Sequence, residues 1–123
     1  MLQPLAIVFY ERVMPGSQLV NRLQDMHYRV LALANAARLA ATVLREMPLL
    51  VIADLDAQSG VADAITKIRA EAATNHISII AFAPDHRPEL LPAAQAAGAN
   101  LAVTESALTG HFAQMLDQAL HVE

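Results

Sequence analysis

An unbroken apolar run in the middle of the chain, Leu49–Ala53, ends in a carboxylate at Asp54. A strand without polar alternation is typical of a parallel sheet whose two faces are both covered by helices. In sheets of that kind, ligands and reactive groups lie in the crevice beyond the carboxyl ends of the strands. The run therefore predicts a central, buried strand that presents Asp54 at the edge of the sheet where chemistry takes place.

The remainder of the chain alternates between strand-like runs and helical patterns. Five strands are predicted, at Leu5–Tyr10, Arg29–Ala34, Leu49–Asp54, Ile77–Ala83 and Leu101–Val103. Apolar residues recur at helical spacing in Leu19, Leu23 and Met26; Leu39, Val43 and Met47; Val61, Ile65, Ile68 and Ala72; and Leu108, Phe112, Met115 and Ala119, with a further helix at Pro88–Ala97. Right-handed crossovers between such elements predict an α/β three-layer fold with a five-stranded parallel sheet, in one domain spanning residues 1–123.

Boundary residues support this division. Polar residues are expected to cap helices at Ser17, after a turn at Met14–Gly16, and at Asn35 and Thr109. Pro48 is expected to follow the end of the second helix, and Gly98 to supply a left-handed residue after the fourth.

Composition excludes several classes of protein. With 55% hydrophobic and 16% charged residues among 123, the chain is globular and fits one core. The lack of cysteine rules out disulfides, thiolate metal sites and a cysteine nucleophile. A net charge of -4 without a basic cluster argues against a nucleic-acid partner. Because no apolar run is long enough to cross a bilayer and no signal peptide opens the chain, we expect no membrane association and a cytoplasmic location.

No recognisable catalytic set is present. The sequence contains neither a glycine-rich phosphate loop nor a Ser-His-Asp arrangement, so an enzyme is not expected. The five histidines lack metal-ligand spacing and are predicted to lie on the surface or in loops: His27, His76, His86, His111 and His121.

Three passages resemble the receiver domains of two-component response regulators. Met26–Val30 resembles the family's Gly-Tyr-x-Val, Pro48–Asp54 resembles its Pro-Asp-Leu-Val-Leu-Leu-Asp, and Gly98–Leu101 resembles its Gly-Ala-x-x. The similarity covers the chain from about Leu5 to Leu120. It implies a flavodoxin-like (βα)5 fold with strand order 2-1-3-4-5, and it places Asp54 at the family's phosphoacceptor position.

The same resemblance implies a set of partners around that aspartate, most of which this chain has replaced. The family's Mg²⁺-binding acid pair falls on Tyr10 and Glu11, so one carboxylate remains. The hydroxyl position at the end of the fourth strand falls on Ala83, and the lysine position after the fifth falls on Glu105. The aromatic switch position falls on Ala102. The proline after the lysine becomes Ser106, and the loop after Asp54 reaches Gly60 about two residues early.

These replacements act against a phosphorylated aspartate. Phosphoaspartate carries nearly two negative charges. Exchanging a nearby Lys for Glu turns attraction into repulsion, roughly 1–4 kcal/mol each way in a partly wet site. Losing the hydroxyl at Ala83 removes a charge-assisted hydrogen bond, on the order of 1.5–3 kcal/mol. Stable phosphorylation of Asp54 is therefore disfavoured, and Asp54 has the alternative role of a relic that caps the loop after its strand.

Two further hypotheses concern the neighbouring acids. Glu11, Asp54 and Glu105 would converge if all face the crevice, which favours a divalent cation or a carboxyl that keeps its proton; alternatively, Glu105 points into solvent. By the resemblance, Glu11, Asp54 and the backbone carbonyl of Asp56 would hold a metal; alternatively, Asp56 only forms a turn.

We expect a stand-alone, degenerate receiver-like domain that needs no cofactor and docks a protein partner, either a histidine kinase or a downstream signalling protein. The alanine-rich segment Leu90–Ala99 either packs closely on the sheet or leaves an apolar surface, in which case residues 88–120 offer a face for a homodimer. One alternative is a conventional response regulator phosphorylated on Asp54 with Mg²⁺. Another is a small-ligand binder or enzyme on the same scaffold.

Overall fold

Five parallel strands form the centre of the molecule. The computed structural model describes residues 4–11, 13–56 and 60–120. The strands are β1 Leu5–Phe9, β2 Arg29–Leu33, β3 Leu50–Asp54, β4 Ser78–Ala83 and β5 Leu101–Thr104. They pair in the order β2-β1-β3-β4-β5, all parallel, which confirms the predicted flavodoxin-like fold. The predicted strand boundaries differ from these by one residue at most.

Helices cover both faces of the sheet. They are α1 Val13–Asp25, α2 Leu39–Glu46, α3 Val61–Ala70, α4 Leu91–Ala97, α5 Glu105–Gly110 and α6 Phe112–Leu120, with 3₁₀ turns at Ala36–Arg38 and Pro88–Leu90. Alternate residues of β3 point to opposite faces. Val51 and Ala53 lie in the core under α2, α3 and α4, whereas Leu50 and Ile52 lie in the core under α1, α5 and α6. Every residue of β3 is buried, as its unbroken apolar run predicts.

Several predicted helix boundaries are confirmed. The Asn35 side chain accepts a hydrogen bond from the Ala37 N–H at 2.9 Å and so caps the first 3₁₀ turn. Helix α2 ends two residues before Pro48, and Gly98 follows α4 with φ +117°. At that φ an L side chain is strained, so glycine is the residue this helix end requires.

Two predicted caps are wrong, and three helices end before the last residue of their predicted apolar spacing. Helix α1 begins at Val13, so the expected turn at Met14–Gly16 and the Ser17 cap lie inside the helix. A proline is tolerated there because the first turn of a helix leaves its N–H groups unpaired. Helices α1, α2 and α3 end at Asp25, Glu46 and Ala70. Met26, Met47 and Ala72 therefore lie exposed just outside them.

The last predicted helix is two helices. Helices α5 and α6 meet at His111, whose φ of -133° and ψ of 40° break the helical path. Gly110, just before the break, has nothing within 4 Å of where a Cβ would stand. Because α5 starts earlier than predicted, its cap is Thr104. The Thr109 hydroxyl instead donates to the Glu105 carbonyl inside the helix, at 3.1 Å.

Candidate functional site

Asp54 is the last residue of β3 and lies at the carboxyl edge of the sheet, 1% exposed. Register places Phe9 beside Ala53, so the residue after β1 comes level with Asp54. One carboxylate oxygen of Asp54 accepts a hydrogen bond from the Asp56 N–H at 2.9 Å. This bond turns the chain sharply after the strand, which is the loop-capping geometry that an aspartate favours.

The residues after β1 are an aromatic ring and an exposed acid. The ring of Tyr10 lies against Gly16 in α1, so closely that a Cβ on that glycine would overlap it. This contact explains a glycine inside a helix, where the residue otherwise costs stability. The Tyr10 backbone N–H donates to the Leu33 carbonyl at 2.9 Å and extends the sheet by one bond. Glu11 is exposed. The position of the family's first acid is thus filled by a side chain that packs on α1.

The ends of β4 and β5 carry no phosphoryl-binding group at the matched positions. Ala83 is fully buried and pairs in register with Thr104. The Thr104 hydroxyl accepts from the Ala107 N–H at 3.4 Å and caps α5. Ala102 is half-buried and packs against the core under α4. Neither Ala83 nor Ala102 can donate a hydrogen bond to a bound anion through its side chain.

Glu105 begins helix α5 and is half-buried. A carboxylate in the first turn interacts favourably with the positive end of the helix dipole, which gives this residue a structural reason for its charge. The next residue, Ser106, donates its N–H to Asp85 at 3.0 Å and its hydroxyl to the same carboxylate. Hydrogen bonds from the Ser106 side chain and backbone hold the pKa of Asp85 below its usual value. The β4–α4 loop is therefore tied to the start of α5.

A cation that sequence analysis missed lies at the same edge. Arg87, in the β4–α4 loop, donates from its terminal nitrogen to Asp56 at 2.8 Å. Its Nε donates to Glu89 at 3.1 Å. The pKa of Arg87 is raised by its hydrogen bonds to Glu89 and Asp56. The side chains are 43% exposed for Arg87 and 24% for Asp56, so the pair spans the two loops at the mouth of the crevice. No family motif marks this position, and only the fold brings residues 56 and 87 together.

The predicted metal set of Glu11, Asp54 and the backbone carbonyl of Asp56 stays a prediction. Among residues 4–11, 13–56 and 60–120, no three His, Asp or Glu side chains lie close enough together to hold one. The side chains of Glu11, Asp54 and Asp56 do not form such a group, and neither do those of Glu11, Asp54 and Glu105. The Asp56 carboxylate is instead paired with Arg87.

The alanine-rich segment packs on the sheet along one side and leaves Pro92, Ala93 and Ala96 exposed on the other. Ala94 is fully buried, and Ala97, Ala99 and Ala102 pack against the same core. The exposed large hydrophobic residues of the described chain lie elsewhere: Met26, Leu44, Met47 and Leu49. The predicted homodimer face at residues 88–120 stays a prediction.

The remaining sequence expectations concern histidines and membranes. His27, His76, His86 and His111 are exposed, as predicted, and His121 lies outside the described residues. In the described ranges, none of the helices has the length and apolar character needed to cross a membrane.

Comparison with solved structures shows which proteins share this fold. A response regulator from Chloroflexus aurantiacus matches with a TM-score of 0.87 and 14% identity, covering 97% of this chain and 98% of that one. The chemotaxis response regulator CheY4 of Vibrio cholerae matches with a TM-score of 0.83 and 15% identity over 97% and 100%. The receiver domain of the sensor histidine kinase PA1611 from Pseudomonas aeruginosa, solved with magnesium in its active-site cleft, gives 0.85 and 15% over 97% and 98%.

Sequence comparisons add nothing to this. No protein-family model matches the chain. No curated protein sequence matches it either. The chain has the fold of response-regulator receiver domains, and the side chains around Asp54 decide what it does with that fold.

Proposed function

We propose that this chain is a receiver-like domain of two-component signal transduction that docks a protein partner without being phosphorylated on Asp54. The observation that carries the proposal is the charge at the end of β5. Where receivers place a lysine, Glu105 starts helix α5, one residue after the pairing of Thr104 with Ala83. A phosphoryl group on Asp54 would add nearly two negative charges to a crevice that has lost its matched cation and its hydroxyl.

Arg87 does not restore the missing lysine in this arrangement. Its guanidinium is paired with Asp56 and Glu89. Turning it toward a phosphorylated Asp54 would leave both carboxylates without that partner. The cation therefore ties two loops together at the mouth of the crevice, and a phosphoryl group would have to compete for it.

Contacts between described residues join the loops around Asp54 to each other. The pair of Asp56 and Arg87 joins the β3–α3 loop to the β4–α4 loop, and the bonds between Asp85 and Ser106 join the latter to α5. A receiver that switches needs two arrangements of these loops whose populations a phosphoryl group shifts. A tied set of loops supports docking through a surface that is already formed.

The proposed partner is a histidine kinase or a downstream signalling protein, not nucleic acid, because the net charge is -4 without a basic cluster. We propose a docking module that needs no cofactor and is not an enzyme. The single domain and a cytoplasmic location stay part of this proposal.

A second candidate is a conventional response regulator, favoured by the position of Asp54 at the carboxyl end of β3. Incubation with acetyl phosphate and Mg²⁺, followed by intact-mass measurement, separates the two. We expect no added phosphoryl group. Uptake that disappears in Asp54→Asn would contradict our proposal and establish the second candidate.

A variant that regains phosphorylation would show that the lack of phosphoryl uptake by the original chain is caused by its side chains and not by the assay. Glu105→Lys restores the cation at the matched position, and the double variant with Ala83→Thr also restores the hydroxyl. If charge at position 105 is what prevents modification, the variants should take up phosphoryl groups from acetyl phosphate more than the original chain does. Glu71→Lys makes the same change of charge at an exposed position after α3, at the other edge of the sheet, so it serves as the control and should not.

A further inference from the structure

The last two helices meet at a break that the apolar spacing of the sequence does not require. Four buried side chains of this region belong to the same core: Leu108, Phe112, Leu116 and Ala119. Their spacing of three or four residues places them along one side of a single α-helix. The chain nevertheless divides at His111 into α5, which ends at Gly110, and α6, which begins at Phe112. A continuous helix over residues 105–120 would turn the same apolar side toward the core.

Three helical hydrogen bonds are missing across the break. The last bond of α5 runs from the His111 N–H to the Ala107 carbonyl at 3.1 Å, and the first bond of α6 runs from the Met115 N–H to the His111 carbonyl at 2.9 Å. In a continuous helix, the N–H groups of residues 112–114 would donate to the carbonyls of residues 108–110. Among the described residues, none of these three bonds is formed. The broken arrangement therefore needs another contact to stabilise it.

Arg22 of α1 supplies such a contact. Its terminal nitrogen donates to the Thr109 carbonyl at 2.6 Å, which is the acceptor that the Ala113 N–H would use in a continuous helix. Its guanidinium lies 4.7 Å from the centre of the Phe112 ring, within the range of a cation–π interaction. One cation thus binds the last turn of α5 and the first residue of α6. Because a charged donor bonds more strongly than a neutral N–H, this contact favours the break.

Gly110 weakens the continuous alternative. After proline, glycine is the residue that least favours a helix interior. A Cβ at this position would meet nothing within 4 Å, so close packing does not require the glycine. Its effect is on the backbone, at the residue just before the break.

We propose that residues 105–120 exchange between the broken arrangement and one continuous helix, and that Arg22 holds the break. Without its guanidinium, the Thr109 carbonyl accepts from the Ala113 N–H, and the two neighbouring bonds form as well because helix formation is cooperative. The break also shapes an open depression of about 420 Å³ beside α6, which His111 and Gln114 help to line. A residue of α1 thus sets the surface that the last helix presents. This inference does not depend on the docking role proposed above.

Two substitutions should favour the continuous helix by independent routes. Arg22→Ala should shift the equilibrium toward it by about tenfold, as expected for the loss of one hydrogen bond from a charged donor. Gly110→Ala should shift it by about fivefold, which is the difference in helix propensity between the two residues. Arg22 and Gly110 are both exposed, so the fold should tolerate either change.

Native-state hydrogen exchange reports the result at the amides of residues 112–114. Exchange there should slow in each single variant and slow most in the double variant, because the three missing bonds are then formed. Arg45→Ala removes an exposed arginine of α2 and is the control, in which these amides should keep their exchange rates.

A proline separates straightening of the helix from a general change in stability. Residue 113 lies in the first turn of α6, where proline is tolerated; in a continuous helix it would lose the bond to Thr109 and clash with that carbonyl. Adding Ala113→Pro to the double variant should therefore restore the original exchange rates at residues 112 and 114. Exchange rates that are the same in the original chain and in both single variants would overturn the proposal, as would slow exchange that persists with the proline.

Discussion

An arginine joins separate segments at each edge of the sheet, but the two arginines bind different kinds of acceptor. At the carboxyl edge, Arg87 pairs with carboxylates on exposed loops. At the amino edge, Arg69 donates to the carbonyls of Gly98 at 2.8 Å, Ile77 at 2.6 Å and Asn75 at 3.0 Å. It also donates to the Asn100 side chain at 2.7 Å.

The amino edge is built as a structural clamp. The Asn100 side chain that accepts from Arg69 also accepts from the Ile79 N–H at 2.7 Å, so one cluster joins α3, β4 and the segment after α4. Burial lowers the pKa of Arg69. The amino edge therefore joins its segments through hydrogen bonds to backbone carbonyls, whereas the carboxyl edge joins its loops through ion pairs. We expect the amino edge to contribute more to the stability of the fold.

The largest effect is expected from removing the clamp. Arg69→Ala leaves several backbone carbonyls without their donor and should lower the free energy of unfolding by about 2–4 kcal/mol. Urea denaturation monitored by circular dichroism measures the change. Arg45→Ala is the matched control, because Arg45 is 68% exposed and pairs only with the adjacent Glu46 among described residues; a loss below about 0.5 kcal/mol is expected there. Equal losses would contradict the contrast between the edges.

Replacing two glycines by alanine should change the stability of the chain by smaller amounts, and in opposite directions. Gly98 has φ +117°, and a Cβ there would lie 2.7 Å from Cγ of Arg69. Gly98→Ala should therefore destabilise the chain by about 1–3 kcal/mol. Gly110 has open space around its Cβ position, so Gly110→Ala should be neutral or stabilise α5 by up to about 1 kcal/mol. Thermal denaturation of the two variants gives the comparison, and the same sign for both would contradict it.

Arg87→Gln should affect motion more than stability. The ion pairs it removes are exposed and screened by salt, so the denaturation midpoint should stay nearly unchanged. Amide exchange in the β4–α4 loop should quicken, at Arg87 and Leu90, whose N–H groups bond to Pro84 and Arg87. Hydrogen exchange measured at two salt concentrations tests this. A loop whose exchange ignores both the substitution and the salt would refute the proposed tie.

The smallest effect concerns pH. Hydrogen bonds from Ser106 hold the pKa of Asp85 below the value of 3.8 expected for the unfolded chain. A lowered folded pKa gives stability that is present above that value and is lost as pH falls through the folded pKa. Ser106→Ala should therefore flatten the fall in stability below about pH 4. Denaturation midpoints across the acid range measure it, and an unchanged slope would count against the Asp85 tie.

Much of the fold could be predicted because its signals are local. The apolar run before Asp54 and the helical spacing along Leu39–Val43 each reflect burial of a single element, so each pattern locates its strand or helix closely. Helix caps were harder. Ser17 and Thr109 are good capping residues, yet both helices begin earlier. Helix α1 begins at Val13 and has a proline in its first turn, and helix α5 begins at Glu105, after its cap Thr104.

The site could be predicted only where the family marks it. The identities at positions 54, 83 and 105 could be read from the sequence, but their surroundings depend on the assembled loops. Arg87 is an ordinary polar residue in its own segment and reaches Asp56 only through tertiary structure. The packing of Tyr10 on Gly16 likewise has no local signal.

The measurement that tests the central claim most directly is the ¹⁵N–¹H spectrum of the chain titrated with beryllofluoride and Mg²⁺, which together mimic a phosphorylated aspartate. We predict no saturable shifts for the amides around Asp54 in the original chain, and their appearance in Glu105→Lys. Saturable shifts in the original chain that are absent in Asp54→Asn would contradict the account.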